Sequence, residues 1–137
     1  MSKVLVLCTG NSCRSQMAEG FLNHLGVNVC SAGIESHGLN PYAVQVMKEL
    51  NIDISHNYSK EINLFDLDSF DIVITVCDHA KETCSHISSI KIQIHQSFRD
   101  PSNALGSQTN KLLLYRSVRD EIHFFCNQFY AQYFKMK

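Results

Sequence analysis

Cys8 and Arg14 bracket five residues in the segment Cys8-Thr9-Gly10-Asn11-Ser12-Cys13-Arg14-Ser15. A thiol and a guanidinium at that separation suit the capture of a tetrahedral oxyanion. Such a dianion needs many donors converging on it without steric obstruction, and a tight loop turning into a helix N-terminus offers backbone N–H groups and the positive end of the helix dipole. Thr9, Gly10, Asn11, Ser12 and Cys13 would supply the amides, and Gly10 is expected to let the backbone bend back on itself. Arg14 can hold two oxyanion oxygens through its planar fork, which a lysine cannot do. The same field favours the thiolate of Cys8, the nucleophilic form, and Ser15 is placed to donate a hydrogen bond to it. Composition alone yields this C-x5-R spacing in about one such chain in six, so the weight rests on its position between an apolar run and a helical pattern.

Two further thiols stand in Cys77-Asp78-His79-Ala80-Lys81-Glu82-Thr83-Cys84, the first at the end of a second apolar run and the second in what reads as the loop after it. A two-electron reduction needs electrons that one thiol cannot supply alone, and a second and third thiol provide them; a phosphatase needs neither. The same stretch offers a competing set of metal ligands, Cys77, His79, Cys84 and His86, whose spacing is not a common zinc pattern. Asp100, ahead of Pro101, reads equally as a turn residue and as a general acid. Cys13 lies inside the loop but lacks the C-x5-R relation, and Cys30 and Cys126 read as small buried hydrophobes. His37 and His95 read as hydrogen-bonded structural residues.

The elements that must position these groups alternate. Val4, Leu5, Val6 and Leu7 run into Cys8, and Ile72, Val73, Ile74, Thr75 and Val76 run into Cys77; continuous β-branched runs of this kind are strands buried on both faces. Residues 27–31 and 90–94 read as flanking strands. Met17, Ala18, Phe21, Leu22 and Leu25 recur at helical spacing before Gly26, Asn40-Pro41 reads as an N-cap and first helical residue, Ser59 as the cap of a short helix through Phe65, and Leu114, Val118, Ile122, Phe125 and Phe129 as one stripe on a helix of about six turns. The expected fold is α/β: an open four-stranded parallel sheet with helices on both faces and ligands at the carboxyl ends of the strands, where Cys8 and Cys77 both fall.

With 137 residues, 45% hydrophobic and 18% charged, the chain has the size and composition of a single globular domain, residues 1–137. A net charge of -1 with both signs dispersed excludes the footprint of a nucleic-acid or anionic-membrane binder. The N-terminal apolar run is too short for a signal-peptide core and no run approaches a membrane span, so the expected location is the cytoplasm, where thiols stay reduced.

The segment from Cys8 through Arg14-Ser15-Gln16-Met17-Ala18-Glu19, with Ser31-Ala32-Gly33-Ile34, His37-Gly38-Leu39-Asn40-Pro41, Ile52-Asp53-Ile54-Ser55, Val76-Cys77, Cys84, Asp100-Pro101 and Val118-Arg119-Asp120-Glu121-Ile122, resembles the thioredoxin-coupled arsenate reductases, relatives of the low-molecular-weight protein tyrosine phosphatases. The resemblance implies that Cys8 attacks arsenate, that Arg14 and the loop amides bind its oxygens in competition with phosphate or sulfate, and that Asp100 protonates the departing hydroxide. It further implies that Cys77 attacks Cys8 with release of arsenite, that Cys84 attacks Cys77, and that thioredoxin reduces the final disulfide, with no cofactor or metal. Two rivals stand beside this. One is a phosphatase using the same loop, disfavoured because Ser102-Asn103 follow Asp100-Pro101 where tyrosine phosphatases place aromatics; the other is a non-catalytic thiol switch or metal sensor using Cys77 and Cys84.

Several positions depart from the resemblance. Arg99 replaces an acidic residue before Asp100, where its added positive charge is expected to favour the ionised form of Asp100 and weaken it as an acid; Gln96-Ser97 replaces an aromatic-glycine pair, and Ser85 a proline after the last relay cysteine. Some of these reductases bind potassium through residues matching Asn11, Glu19 and Ser31 plus an aspartate at the place of Lys60. An ammonium there repels a cation and is expected to pair with Glu19. Initial rates measured in potassium and sodium chloride at equal ionic strength should therefore coincide; a steep rise specific to potassium would contradict the expectation.

Overall fold

The computed structural model of the chain describes residues 2–84 and 92–135, with residues 83 and 84 described by their backbone alone. Strands β1 (Lys3–Cys8), β2 (Asn28–Gly33), β3 (Ile72–Thr75) and β4 (Ile92–His95) form one parallel sheet in the order β2-β1-β3-β4. This is the four-stranded open sheet expected. Val4, Leu5 and Val6 are each 0% exposed although their side chains alternate between the two faces, so both faces of the central strand are covered. The register sets Cys8 beside Gly33 and Leu7 beside Thr75, which in turn faces His95.

Helix α1 (Arg14–His24) follows β1, α2 (Pro41–Lys48) follows β2, α3 (Asp78–Cys84) joins β3 to β4, and α4 (Gln108–Tyr133) ends the order. The step from β1 to β2 and the step from β3 to β4 run in opposite directions across the sheet. Right-handed crossovers therefore put α1 and α3 on opposite faces. The reversal also leaves a crevice between the carboxyl ends of β1 and β3, the place where such sheets take ligands.

Local chemistry explains the helix limits. Asn40 caps α2, its Oδ1 accepting from Tyr42 N at 2.8 Å and Ala43 N at 3.2 Å, and Pro41 needs no amide partner there. Ser107 caps α4 in the same way through Asn110 N. At the other end of α2 the Arg119 guanidinium, only 8% exposed as a residue, donates to Val46 O at 3.0 Å and Glu49 Oε1 at 2.8 Å, so α4 supplies donors to the open carbonyl end of α2. Hydrogen bonds from Arg116, and then from Arg119, hold the Glu49 carboxyl below the usual carboxylate range.

Four expectations shift. β2 begins one residue later and runs on to Gly33, and β4 runs on to His95, its expected start at Ile90 lying outside the described residues. The short helix expected from Ser59 is a single 3-10 turn, Ile62–Leu64, entered through Glu61 without a side-chain cap. The segment after Cys77 is helical rather than a loop: Asp78 puts a carboxylate in the first turn and Ala80, Lys81 and Glu82 are good helix formers. α4 spans 26 residues, longer than expected, and its buried stripe includes Tyr115, Arg119 and Cys126 where the pattern named Leu114 and Phe125, which are only half-buried. Among the described residues no helix is long and apolar enough to cross a membrane.

Ile122, 0% exposed at the centre of that stripe, should cost about 2–5 kcal/mol on truncation to alanine, whereas Leu113→Ala at a 57% exposed position should stay within about 0.5 kcal/mol. Urea unfolding of both variants checks the contrast.

Candidate active site

The loop between β1 and α1 is gripped from outside by its carbonyls. Cys8 O accepts from Ile34 N at 3.2 Å, Thr9 O from Glu35 N at 2.9 Å, Gly10 O from His37 N at 3.0 Å and Ser12 O from Asn40 N at 3.0 Å. Gly10 O also takes Ser59 Oγ at 2.8 Å, and Asn11 O takes Gln16 Nε2 at 3.2 Å. In a planar trans peptide the carbonyl and the following N–H point in opposite directions. Five consecutive carbonyls turned outward thus leave the amides of Thr9 through Cys13 turned into the loop. Cys13 occupies the N-cap position of α1 without any side-chain cap, so the first-turn donors of the helix are left for an anion.

The sharp turn is made by Asn11, with φ of 48°, and not by Gly10, whose φ is not positive. Glycine is required at position 10 for a different reason: a Cβ there would run into the His37 ring. Position 33 is tighter still, because a Cβ would meet Glu35 O and lie 2.7 Å from Asn11 N and 2.9 Å from Gly10 C, all of it backbone.

A cleft of about 190 Å³ opens over the loop, lined in part by Cys8, Thr9, Gly10, Ser12, Cys13 and Arg14, with His37, Asn40, Asp100 and Ser102 at its rim. Arg14 reaches it on a fixed guanidinium: Nη1 donates to Phe98 O at 3.1 Å and Nη2 lies 3.7 Å from Asp100 Oδ2. Asp100 closes a turn, one of the two readings its sequence allowed, and also faces the cleft. Its Oδ1 accepts from Ser102 N at 3.0 Å and Ser102 Oγ at 2.7 Å, which closes the turn over Pro101–Asn103, while Oδ2 is left toward Arg14 and the cleft. Arg99 does not add its charge to Asp100 as expected; its guanidinium turns to α4, with Ser117 Oγ at 3.0 Å and Glu121 Oε2 at 2.8 Å.

Asn11 does not line the cleft with its side chain, which is the hub of a buried network behind the loop. Its Nδ2 donates to Ser15 Oγ and Ser31 Oγ, both at 2.8 Å, and its Oδ1 accepts from Lys60 N and Gln16 Nε2. Ser15, expected to reach Cys8, is engaged through its oxygen by Asn11, which leaves its hydroxyl proton free to turn. Ser31 Oγ donates to Glu19 Oε1 at 2.6 Å. The Lys60 ammonium, expected over Glu19, donates instead to Tyr58 O at 2.8 Å and lies over the Tyr58 ring. Sequence reasoning gave no role to Gln16, fully buried with Nε2 on Asn11 and Tyr58 O, or to Gly33, and it read Ser59 only as a helix cap. Buried polar side chains are found from sequence only when their partners are known, and these partners lie some 40 residues away.

Cys77 is 5% exposed and its Sγ is 3.2 Å from Thr9 Oγ1, so the second thiol meets the loop that carries the first. Val76 N donates to Leu7 O at 2.9 Å, so the chain runs into Cys8 and Cys77 side by side at the ends of neighbouring strands. Cys84 ends α3; its side chain and His86 lie outside the description, as does Ser85. Burial, then the negative charges of Cys8 and Asp100, push the Cys13 thiol far above the ordinary thiol value against a smaller opposing effect of Arg14. Burial raises Cys126 to about 12. Cys30 is half-buried rather than enclosed.

Residues 3–136 match the family model of the low molecular weight phosphotyrosine protein phosphatases. The chain belongs to that family. Within the low molecular weight phosphatase family it is similar to the arsenate reductase of Halalkalibacterium halodurans, with 49% identity over 122 residues, 87% of this chain and 88% of the relative. Its fold is similar to a solved arsenate reductase in the phosphate-binding state, with a TM-score of 0.80, 34% identity, and 96% and 98% of the two chains covered. It is also similar to an arsenate reductase in the oxidized state, with a TM-score of 0.83 at 32% identity and the same coverage.

In this low molecular weight phosphatase fold the backbone packed on Gly33 cannot yield without moving the loop. Gly33→Ala should weaken anion binding by more than tenfold, read as the loss of phosphate protection of Cys8 against iodoacetamide.

Proposed function

We propose that the protein reduces arsenate to arsenite through Cys8, Cys77 and Cys84. The observation that carries this reading is a second thiol, Cys77, hydrogen-bonded to Thr9 of the very loop whose amides and Arg14 form an anion cleft around Cys8. The identity to arsenate reductases supports the substrate.

The cleft would bind arsenate on the inward amides of Thr9, Gly10, Asn11, Ser12 and Cys13 and on Arg14. The Cys8 thiolate, with the Ser15 hydroxyl turned toward it, attacks arsenic, and one hydroxyl leaves as water with a proton from Asp100. Because Oδ1 of Asp100 is saturated by Ser102, that proton belongs on Oδ2, the oxygen on the cleft side. Cys77 then attacks the Cys8 sulfur. A Cys8–Cys77 disulfide forms, the sulfur–arsenic bond breaks, and the electron pair leaves with arsenic, so two thiols are oxidised and As(V) becomes As(III).

The next exchange, Cys84 on Cys77, requires a change of shape. Seven residues along a helix span about 10 Å, whereas a disulfide holds its Cα atoms about 4.4–6.8 Å apart. α3, seven residues long, has to unwind to bring Cys84 back, and a helix that short has little intrinsic stability to oppose it. Reduction of the Cys77–Cys84 disulfide by thioredoxin closes the cycle. Operation in the cytoplasm, where thiols are kept reduced, suits such a relay.

The same cleft takes phosphate esters, and slow aryl phosphate hydrolysis is expected as a side reaction. The turn at Asp100 and Ser102 gives it a polar edge rather than an aromatic wall for a phosphotyrosine ring. Arsenate-dependent oxidation of NADPH, coupled through thioredoxin and its reductase and run beside aryl phosphate hydrolysis, separates the two activities. Cys84→Ser should complete one turnover and stop; sustained thioredoxin-driven cycling in that variant would remove the relay.

A further inference from the structure

We propose that His95 is a positioning residue for Cys77, acting through a pin that joins the carboxyl ends of β3 and β4 to the first residue of α3. The inference rests on the thiol relay. His95 Nδ1 is 2.8 Å from Thr75 Oγ1, and His95 Nε2 is 3.0 Å from Asp78 Oδ1. Thr75 is two residues before Cys77, and Asp78 is the residue after it. One imidazole therefore ties down the chain on both sides of the second thiol.

The partners fix the ring. A carboxylate only accepts, so Nε2 carries the proton that points to Asp78, while Nδ1 meets the Thr75 hydroxyl, a group able to donate or accept. Thr75 is 4% exposed and pairs with His95 in the β3–β4 ladder, so the inner end of the pin is anchored in the sheet. The outer end is not: the Asp78 side chain is 79% exposed. An exposed pair contributes little to stability. Its effect is orientation, which matters in this substitution at sulfur because the attacking thiolate must approach the sulfur–arsenic bond in line.

The relay asks two opposite things of α3. Its far end must come apart to deliver Cys84, while its near end must keep Cys77 on Thr9 Oγ1, facing Cys8. The pin acts on the near end only. It lets the helix unwind from Cys84 inward without releasing Cys77.

The test is a single turnover in the Cys84→Ser background with one equivalent of arsenate, acid-quenched and followed by mass spectrometry of the Cys8–Cys77 disulfide. Asp78→Ala should slow disulfide formation five- to tenfold. Asp78→Asn, whose side-chain oxygen still accepts from Nε2, should keep at least half of the parent rate. Iodoacetamide alkylation of Cys8 and its protection by phosphate should be unchanged in both. The proposal is overturned if Asp78→Ala reacts at the parent rate, if Asp78→Asn is as slow as Asp78→Ala so that only charge at the helix end matters, or if phosphate protection is lost as well. Should the Cys84→Ser parent itself form no Cys8–Cys77 disulfide, the relay falls and the pin with it; a normal parent rate with an indifferent Asp78→Ala removes the pin alone.

Discussion

The outward pull on the loop carbonyls is the constraint on which the site depends. Backbone amides cannot converge on an anion unless the carbonyls between them find partners elsewhere, because a buried, unpaired carbonyl carries a heavy penalty. Here the segment after β2 and the Ser59 hydroxyl supply those partners, with Gln16 closing the gap at Asn11. The cradle is thus held open by hydrogen bonds that do not involve the anion. Pre-organisation of this kind means that little rearrangement is needed when charge arrives.

The sheet order does the rest. Because β1 has β2 on one side and β3 on the other, the loop after β1 is flanked by the ends of both. From β2 it receives Gly33 and the N–H donors that follow, and from β3 it receives Cys77. Two thiols, Cys8 and Cys77, 69 positions apart in the chain, become neighbours through strand pairing. Arg14 is steadied from the same direction, through Phe98 O just past β4.

What could be read from the sequence followed from how local each signal is. The apolar runs into Cys8 and Cys77 and the Asn40-Pro41 cap depend on neighbours a few residues away, and their strands and helix lie where the pattern put them. Ser59 was misread because a serine before an amphipathic stretch has the form of a helix cap, whereas its hydroxyl is used by Gly10 49 residues earlier. Arg99 was misread for the same reason: adjacency to Asp100 in sequence says nothing of where a long side chain finds its carboxylate, and it finds Glu121 on α4. The helix after Cys77 had a weak local signal that the thiol pattern overshadowed. Gln16 and Gly33 had none that stood apart from ordinary packing, since their importance lies wholly in what the fold brings against them.

Cys13 sits in the oxyanion loop, nearer along the chain to the nucleophile than any other sulfur, and burial keeps it in the thiol form. In the proposed relay its silence would prevent a short circuit. Were it ionised, it would compete to discharge the arsenylated Cys8 and trap the oxidising equivalents in a dead-end bridge inside the cradle, out of reach of any outside reductant. With that thiol starved of solvent, the loop would act in the proposed relay as a one-way wire, with current leaving only through the sulfur delivered by the neighbouring strand.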